Sequence, residues 1–428
     1  MLYERWENVA RECAGEIALR DLATARKWTF AQLAAVAESA HVLRQRGHLA
    51  FPTENGPEFI FTVLRAWRFG QVVWPLEAVA KQPSLSQQPP PGICLLKTTS
   101  ATTGAARQVA FTEAQLAADP DNIVVTMGLR RDSPNLAVIS LAHSYGFSNL
   151  VLPLLLHGIP LVLVPGSLPE ALRQAAACGS NWTLPSVPAL WRAWHEAGAI
   201  PANVRLAISA GAPLPLPLEQ AVFERSGLKL HNFLGSSECG GIAYDASDTP
   251  RTDASLVGTA MRNVELSCGE DGCLVVNGGN VGETYWPEPD ARLGGGTFRT
   301  SDLVELRDSG VFLRGRASDL INVAGRKVAP ETVEQALLAH PAVRECLVLG
   351  LPSEDAARGD EVAAVVATRE AVTIEQLRQF LNAHLPDWQI PREWRLVESL
   401  TVNARGKLSR NEWRQKWPPI EGLHPSDA

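Results

Sequence analysis

Four segments of this sequence combine residue types and spacings that can do chemistry on phosphates and carboxylates. After the apolar Ile93-Cys-Leu-Leu96 comes Lys97-Thr-Thr-Ser-Ala-Thr-Thr-Gly-Ala-Ala-Arg107. Its small hydroxyl residues, ending at Gly104, can wrap backbone N–H groups and hydroxyls around phosphate oxygens, and Arg107 adds a cation. The Gly-Lys-Ser/Thr of a P-loop is missing, and a polar loop without function has the same composition. His231-Asn-Phe-Leu-Gly-Ser-Ser-Glu238 places a carboxylate after Gly235 and two serines at a strand end. Mg2+ prefers such a site, one or two carboxylates plus phosphate oxygens; a solvated loop glutamate is the plain alternative. Phe298-Arg-Thr-Ser-Asp302 faces Arg314-Gly-Arg316 across a turn at Asp308-Ser-Gly310. Asp302 can accept from two ribose hydroxyls, and the arginine can pair with the same sugar or a phosphate. A hairpin ion pair needs the same residues. Asn403-Ala-Arg-Gly-Lys-Leu-Ser-Arg410 carries Lys407 in a loop with few bulky neighbours, which in isolation reads as a solvated surface lysine.

The elements around these segments form two patterns. From about 93 to 315, buried strand-like runs (Leu136–Leu141, Leu161–Val164, Val204–Ile208) alternate with helical stretches at 168–177, 187–197 and 216–225, the last stopped by Gly227. That alternation predicts an α/β architecture with largely parallel sheets. Upstream, Thr29 can cap a helix bearing Leu33, Val36, Val42 and Leu43, and a second helix over 58–69 ends at Gly70. Lys81–Pro91, rich in Gln, Ser and Pro, reads as a surface linker. The last hundred residues predict a small α+β domain. Pro330 starts a helix, strands follow at 346–349 and 362–366, and the capping box Thr373-x-x-Gln376 opens a helix bearing Ile374, Leu377 and Leu381.

Bulk composition excludes several classes. The 428 residues suffice for two or three domains, and 46% apolar with 20% charged residues is ordinary for a globular chain. Lys plus Arg number 39 against 46 Asp plus Glu, a net charge of -7, so no cationic surplus waits for nucleic acid. Seven scattered cysteines without a C-x-x-C pair favour reduced thiols and a cytoplasmic location. No apolar run is long enough to span a bilayer, and the acidic start does not resemble a signal peptide.

The order and spacing of the segments resemble the adenylate-forming superfamily of acyl-CoA synthetases, peptide-synthetase adenylation domains and firefly luciferase. The resemblance runs from about Trp28 to Lys407 and is strongest over Thr300-Ser-Asp302, Gly315-Arg316 and Asp319-Leu-Ile-Asn-Val-Ala-Gly-Arg-Lys-Val-Ala-Pro-Glu-Thr-Val-Glu334. His340-Pro-Ala-Val-Arg-Glu345, Gly350-x-Pro352 and Gly406-Lys407 follow in family order; Val187-Pro188 and Ser209-Ala-Gly-Ala-Pro213 match upstream. It implies a large α/β domain of mixed sheets and helices (1–315), a hinge at 316–318 and a small mobile α+β domain (319–428). It also implies roles. Thr99, Ser100, Thr102, Thr103 and Gly104, with Arg107, would cradle the β- and γ-phosphates of ATP. Gly211, Ala212, Asn232, Phe233 and Leu234 would flank adenine. Ser237 and Glu238 would serve the α-phosphate and Mg2+, with Glu238 the metal ligand. Asp302 and Arg316 would hold the ribose, and Lys407 would bridge the substrate carboxylate and the α-phosphate. His143 and Gly235 would line the acid pocket.

The activity implied is ATP-dependent conversion of a carboxylic acid to an acyl-adenylate, then transfer to a thiol, either CoA or the phosphopantetheine arm of an acyl carrier protein. Amino-acid-activating relatives carry an acid for the substrate ammonium. The matching Leu141-Ala-His-Ser-Tyr-Gly-Phe147 has His143 and no acid, so a fatty, aryl or other non-amino acid is expected. Ala101 stands where the family has Gly, Ala106-Arg107 where it has Pro-Lys, Leu234 where it has Tyr, and Ser318 at the hinge where it has Asp or Lys. The stretch between Val73 and Ile93 is also short. These departures leave one rival reading, an inactive synthetase fold that binds nucleotide or acyl groups for regulation or scaffolding.

Overall fold

The protein is described by a computed structural model, over residues 1–39, 48–77, 87–99, 107–179, 181–353, 359–400 and 409–417. Contacts divide the chain into two units. The larger takes in Met1–Ala101, Ala105–Thr300 and Glu305–Phe312, and the smaller Ser301–Val304 and Leu313–Ala428.

In the larger unit, Ile17–Asp21, Leu161–Leu163, Asn135–Ala137, Trp182–Ser186, Val204–Ser209 and Leu230–Ser236 lie side by side in that order, every neighbouring pair parallel. Helices Pro169–Ala176, Pro188–Glu196 and Leu216–Ser226 connect these strands. Each has Pro in its first turn, where the missing N–H costs nothing. Gly227, at φ +69°, ends the third in the left-handed conformation glycine accepts most readily. Their apolar stripes pack Leu172, Trp191, Trp194 and Val222 onto Leu184 and Ala207 of the strands.

The prediction of largely parallel sheets fails beyond Leu230. Leu230–Ser236 turns back as an antiparallel hairpin with Gly240–Tyr244, which pairs antiparallel with Leu256–Ala260. No helix intervenes to carry the chain across the sheet, and a parallel partner needs such a crossover. A second, mixed sheet orders Thr284–Trp286, Gln108–Thr112, Ile93–Thr98, Val72–Val73 and Leu49–Ala50. The run read as a strand over Leu136–Leu141 stops at Ala137, because the Leu141 N–H donates to Asn55 Oδ1 (2.8 Å) rather than to a ladder.

In the larger unit two helix starts are fixed by reciprocal caps, and Thr373 with Gln376 does the same in the smaller one. Thr29 with Gln32 opens Phe30–Glu38, while Val42 and Leu43, assigned to the same helix, lie outside the described residues. Thr112 with Gln115 opens Glu113–Met127, a helix the sequence reading did not anticipate. Pro120 lies inside it, removing one rung of the hydrogen-bond ladder, and Gly128 closes it at φ +63°.

The smaller unit is a three-stranded sheet, Val343–Pro352, Asp360–Thr368 and Glu393–Val397, with helices Pro330–Leu338, Ile374–Asn382 and Arg410–Gln415. Both sheet faces are covered. Val348 and Val366 pack with Val333, Leu337, Leu377 and Leu381, while Leu347, Leu349 and Val365 pack with Trp413. Burial on both faces explains why these strands read as continuous apolar runs rather than alternating ones. All seven cysteines are free thiols. Among the described residues no helix is long and apolar enough to cross a membrane.

Candidate active site

The hydroxyl loop joins neighbouring antiparallel strands, Ile93–Thr98 and Gln108–Thr112. Ser100, Thr102, Thr103 and Gly104 lie outside the described residues. The two ends of the loop are pinned together: Thr99 N–H donates to Arg107 O (2.8 Å), and Arg107 N–H donates to Thr99 Oγ1 (3.0 Å). Arg107 is not a loosely solvated loop residue. Its guanidinium lies 3.6 Å from the Tyr285 ring centroid, and its Nη1 donates to Asp290 Oδ2 at 3.0 Å.

Tyr285 connects this arginine to the candidate metal ligand. Its hydroxyl donates to Glu238 Oε1 (3.0 Å). Glu238 sits half-buried with Ser237 in the turn between Leu230–Ser236 and Gly240–Tyr244. The Glu238 N–H donates to Ser236 Oγ (3.2 Å), and its carbonyl accepts from Gly282 N–H (2.8 Å). Among the described residues no group of three or more His, Cys, Asp or Glu gathers to hold a metal. A single placed carboxylate fits Mg2+, which draws its other ligands from phosphates and water.

The turn is fixed from below by a buried ion pair. Lys97 Nζ donates to Ser148 Oγ (3.0 Å) and lies 3.5 Å from Asp119 Oδ2. Ser148 Oγ donates to the same carboxylate at 2.5 Å, and Gly241 N–H donates to Asp119 Oδ1 at 3.1 Å. Gly240 has φ +65°, and a Cβ built there would lie 2.0 Å from Asp119 Oδ1. Lys97 thus joins the strand feeding the hydroxyl loop, the helix carrying Asp119 and the π-helical turn Phe147–Val151.

The residues assigned to adenine follow adjacent strand ends. Ser209 pairs in parallel register with Asn232, so the exposed Gly211-Ala212 loop leaves the sheet beside Asn232-Phe233-Leu234. Gly211, at φ +85°, passes close to Val187: a Cβ would stand 3.5 Å from Val187 Cγ1. Loops beyond the carboxyl ends of parallel strands are where open α/β sheets bind ligands. Asn232 and Phe233 are buried, Leu234 half-buried and Gly235 exposed. Beneath them, Lys229 donates to Glu219 Oε1, to Asp245 Oδ2 (2.6 Å) and to Leu230 O (3.0 Å). Arg251 donates to Glu219 Oε2 (2.9 Å) and to Leu214 O (2.8 Å), the latter holding the far end of the Gly211 loop.

His143 caps the short turn Ser144–Gly146, its Nδ1 accepting from Tyr145 N–H (3.4 Å). Gly146 permits that turn to approach Ser140: a Cβ there would stand 2.0 Å from Ser140 O. Tyr145 packs 5.9 Å from Phe233, centroid to centroid, and its hydroxyl donates to Ile208 O at 3.5 Å.

In the smaller unit, Arg316 Nε and Asp302 Oδ1 pair at 2.9 Å. Ser318 lies in the 3-10 turn Ala317–Asp319 and donates to Asp319 Oδ1 at 3.1 Å. Lys407 lies outside the described residues. Arg410, three positions on, is bound by Asp319, Glu331 and Glu334, each at 2.9 Å. A surface hollow by His340 and Phe380 contains none of the predicted site residues.

Sequence reasoning missed Lys97, Asp119, Tyr285, Asp290 and Arg410 as parts of these arrangements. Only Lys97 and Arg410 had a signal, standing at the margins of two segments already singled out.

A mixed α/β unit with a carboxylate turn and a pinned hydroxyl loop, followed by a small α+β unit, is the architecture of an adenylate-forming ligase. The comparisons agree. The family described as AMP-binding enzyme matches residues 77–289, and the AMP-binding enzyme C-terminal domain matches 332–407. Sulfoacetate–CoA ligase of Cupriavidus necator is 30% identical over 355 residues, 77% of this chain and 69% of that enzyme. 2-Succinylbenzoate–CoA ligase of Bacillus cereus is 29% identical over 334 residues, 74% of this chain and 68% of that enzyme. The fold matches O-succinylbenzoate coenzyme A synthetase of Bacillus subtilis, solved with ATP and magnesium ion. The TM-score is 0.81 at 21% identity, covering 95% of this chain and 98% of that one. The chain belongs to the AMP-binding enzyme family. It is an AMP-forming acid–thiol ligase, acting through an acyl-adenylate.

Proposed function

We propose that this enzyme activates a non-amino carboxylic acid with ATP and passes the acyl group to CoA, with the phosphopantetheine arm of a carrier protein as the alternative thiol. The observation that carries the site assignment is the chain from Glu238 through Tyr285 to Arg107, which holds a carboxylate and a guanidinium in fixed relation at the mouth of the hydroxyl loop. Attack of a carboxylate on the α-phosphorus brings two anions together, so positive charge must screen the approach and the developing pentavalent centre. Mg2+ held by Glu238 would supply part of that screening and favour departure of pyrophosphate.

Arg107 would hold phosphate oxygens with its planar fork, in the role the family gives to lysine. Ser237 would orient the α-phosphate, Asp302 and Arg316 the ribose, and Lys407 would meet the carboxylate and the α-phosphate during adenylation. A hinge at 316–318 would then carry the small domain, 319–428, away for the thiol step. The acid class rests on His143, whose segment holds no carboxylate for an ammonium group. The similar sulfoacetate and 2-succinylbenzoate ligases also take non-amino acids.

Lys407→Ala is expected to lower acid-dependent ATP–pyrophosphate exchange by about 100-fold or more, while thiolysis of supplied acyl-adenylate stays near wild type. Equal loss of both half-reactions would remove the lysine from the chemistry. Exchange with every proteinogenic amino acid should stay at background, and one amino acid activated above all simple acids would overturn the acid class.

A further inference from the structure

Arg107 shares its acid. Asp290 Oδ2 accepts from Arg107 Nη1 at 3.0 Å and from Arg292 Nη2 at 2.8 Å, and Arg292 Nε lies 3.2 Å from both oxygens of the same carboxylate. Arg292 N–H donates to Asp290 Oδ1 (2.9 Å), so the two residues form a tight turn after Pro289. Its side chain remains 54% exposed. Arg107 also reaches the Glu288 carbonyl at 3.4 Å. The strand and turn from Tyr285 to Arg292 therefore present one aromatic ring, one acid and one arginine to the residue that closes the hydroxyl loop.

We propose that Arg292 is a second cationic grip on the pyrophosphate end of ATP, with Asp290 as the positioning residue that holds Arg292 and Arg107 side by side. The proposal rests on the assignment of Glu238 and the hydroxyl loop to the phosphates. An exposed ion pair alone contributes little, but this carboxylate is shared by two guanidiniums. One of them is fixed on a ring whose hydroxyl binds Glu238. Arg107 and Arg292 against Asp290 and Glu238 sum to no net charge, and a divalent ion at Glu238 makes the group cationic by two. Without Arg292 that surplus halves. Two planar forks held by one acid suit a diphosphate, whose oxygens can be gripped in pairs.

The test is calorimetric titration of the full chain with magnesium pyrophosphate, alongside thiolysis of supplied acyl-adenylate. Arg292→Ala should weaken magnesium pyrophosphate at least 10-fold, with Arg292→Lys recovering part of the loss and thiolysis unchanged. Asp290→Asn should weaken it about 3-fold, because both guanidiniums lose their common anchor. Affinity within 2-fold of wild type in Arg292→Ala would overturn the proposal, as would a parallel fall in thiolysis. Glu238→Gln separates the two readings. If Glu238→Gln weakens binding and Arg292→Ala does not, this inference alone fails. If neither variant weakens binding, the phosphate assignment fails with it.

Discussion

Lys97 and Lys229 are both buried in the larger unit, and the protein replaces their water in different ways. Lys229 meets three acceptors, Glu219, Asp245 and the Leu230 carbonyl, one for each N–H of its ammonium. Arg251 balances the second acid, so two cations face two anions, each in direct contact. Lys97 has one hydroxyl at 3.0 Å, one carboxylate at 3.5 Å and the Phe111 ring 4.8 Å away. The first cluster is closed and charge-balanced, fixing the strands and loops assigned to adenine. The second is a strut between two elements of the candidate site, the loop strand and the Glu238 turn, and its polar shell is thinner. The difference teaches that a buried ion pair can serve rigidity or position, and that the completeness of its shell tells which.

The comparison breaks most visibly at Glu219. Glu219→Gln leaves Lys229 and Arg251 sharing one remaining acid, and should cost about 3–5 kcal/mol in urea unfolding. A cost below about 1 kcal/mol would show that the closed cluster is not what holds the fold. Asp119→Asn should cost less, about 2–3 kcal/mol, since the amide can still accept from Gly241 while Lys97 loses its counter-charge. Adding Lys97→Met should return most of that loss, because an apolar side chain needs no counter-ion. Additive losses in the double variant would mean that the two residues do not act as a pair.

The finest probe is pH. Burial, with Lys229 nearby, lowers the His231 pKa below its ordinary value. Its Nδ1–H donates to the Asp245 carbonyl at 2.9 Å, and its ring stacks on Tyr244. The folded ring stays neutral where the unfolded chain already takes a proton. Stability is therefore full above about pH 6.5 and falls as pH drops below it. His231→Gln should flatten that acid slope in thermal unfolding measured across pH 5 to 7. An unchanged slope would assign it to other groups.

Neither lysine cluster was legible in the sequence, although parts of the candidate site around them were. Glu238, Arg107 and Asp302 stand in motifs whose residue types and order led to their proposed roles, and the helices at Thr29, Leu216 and Thr373 announce their own caps. Asp119 was hidden because Asp119-Pro120-Asp121-Asn122 has the composition of a turn. The structure keeps it helical between the Thr112 cap and Gly128, burying Asp119 against Lys97. Tyr285 and Asp290 lie in a Trp-Pro-Glu-Pro stretch without periodicity, so only packing brings them to Arg107. The antiparallel turn at Glu238 was equally silent, since the residues before it carry the apolar pattern of a parallel strand. What sequence patterns record is local geometry, and a strut between distant segments leaves no period to read.

Gly240 and Asp119 also constrain how this chain can change over generations. With the carboxylate in the space a methyl group would take, no side chain fits at Gly240 while Asp119 remains. Nor can Asp119 leave first without stranding a buried lysine on the strand that feeds the hydroxyl loop. Lys97 and Asp119 must therefore change together, since losing either alone leaves its buried partner unpaired, and both must change before Gly240. A descendant that lost the glycine alone would carry the trace of an unfit intermediate. Among diverging copies of this enzyme the three positions should therefore travel as one inherited character, although they lie far apart in the gene.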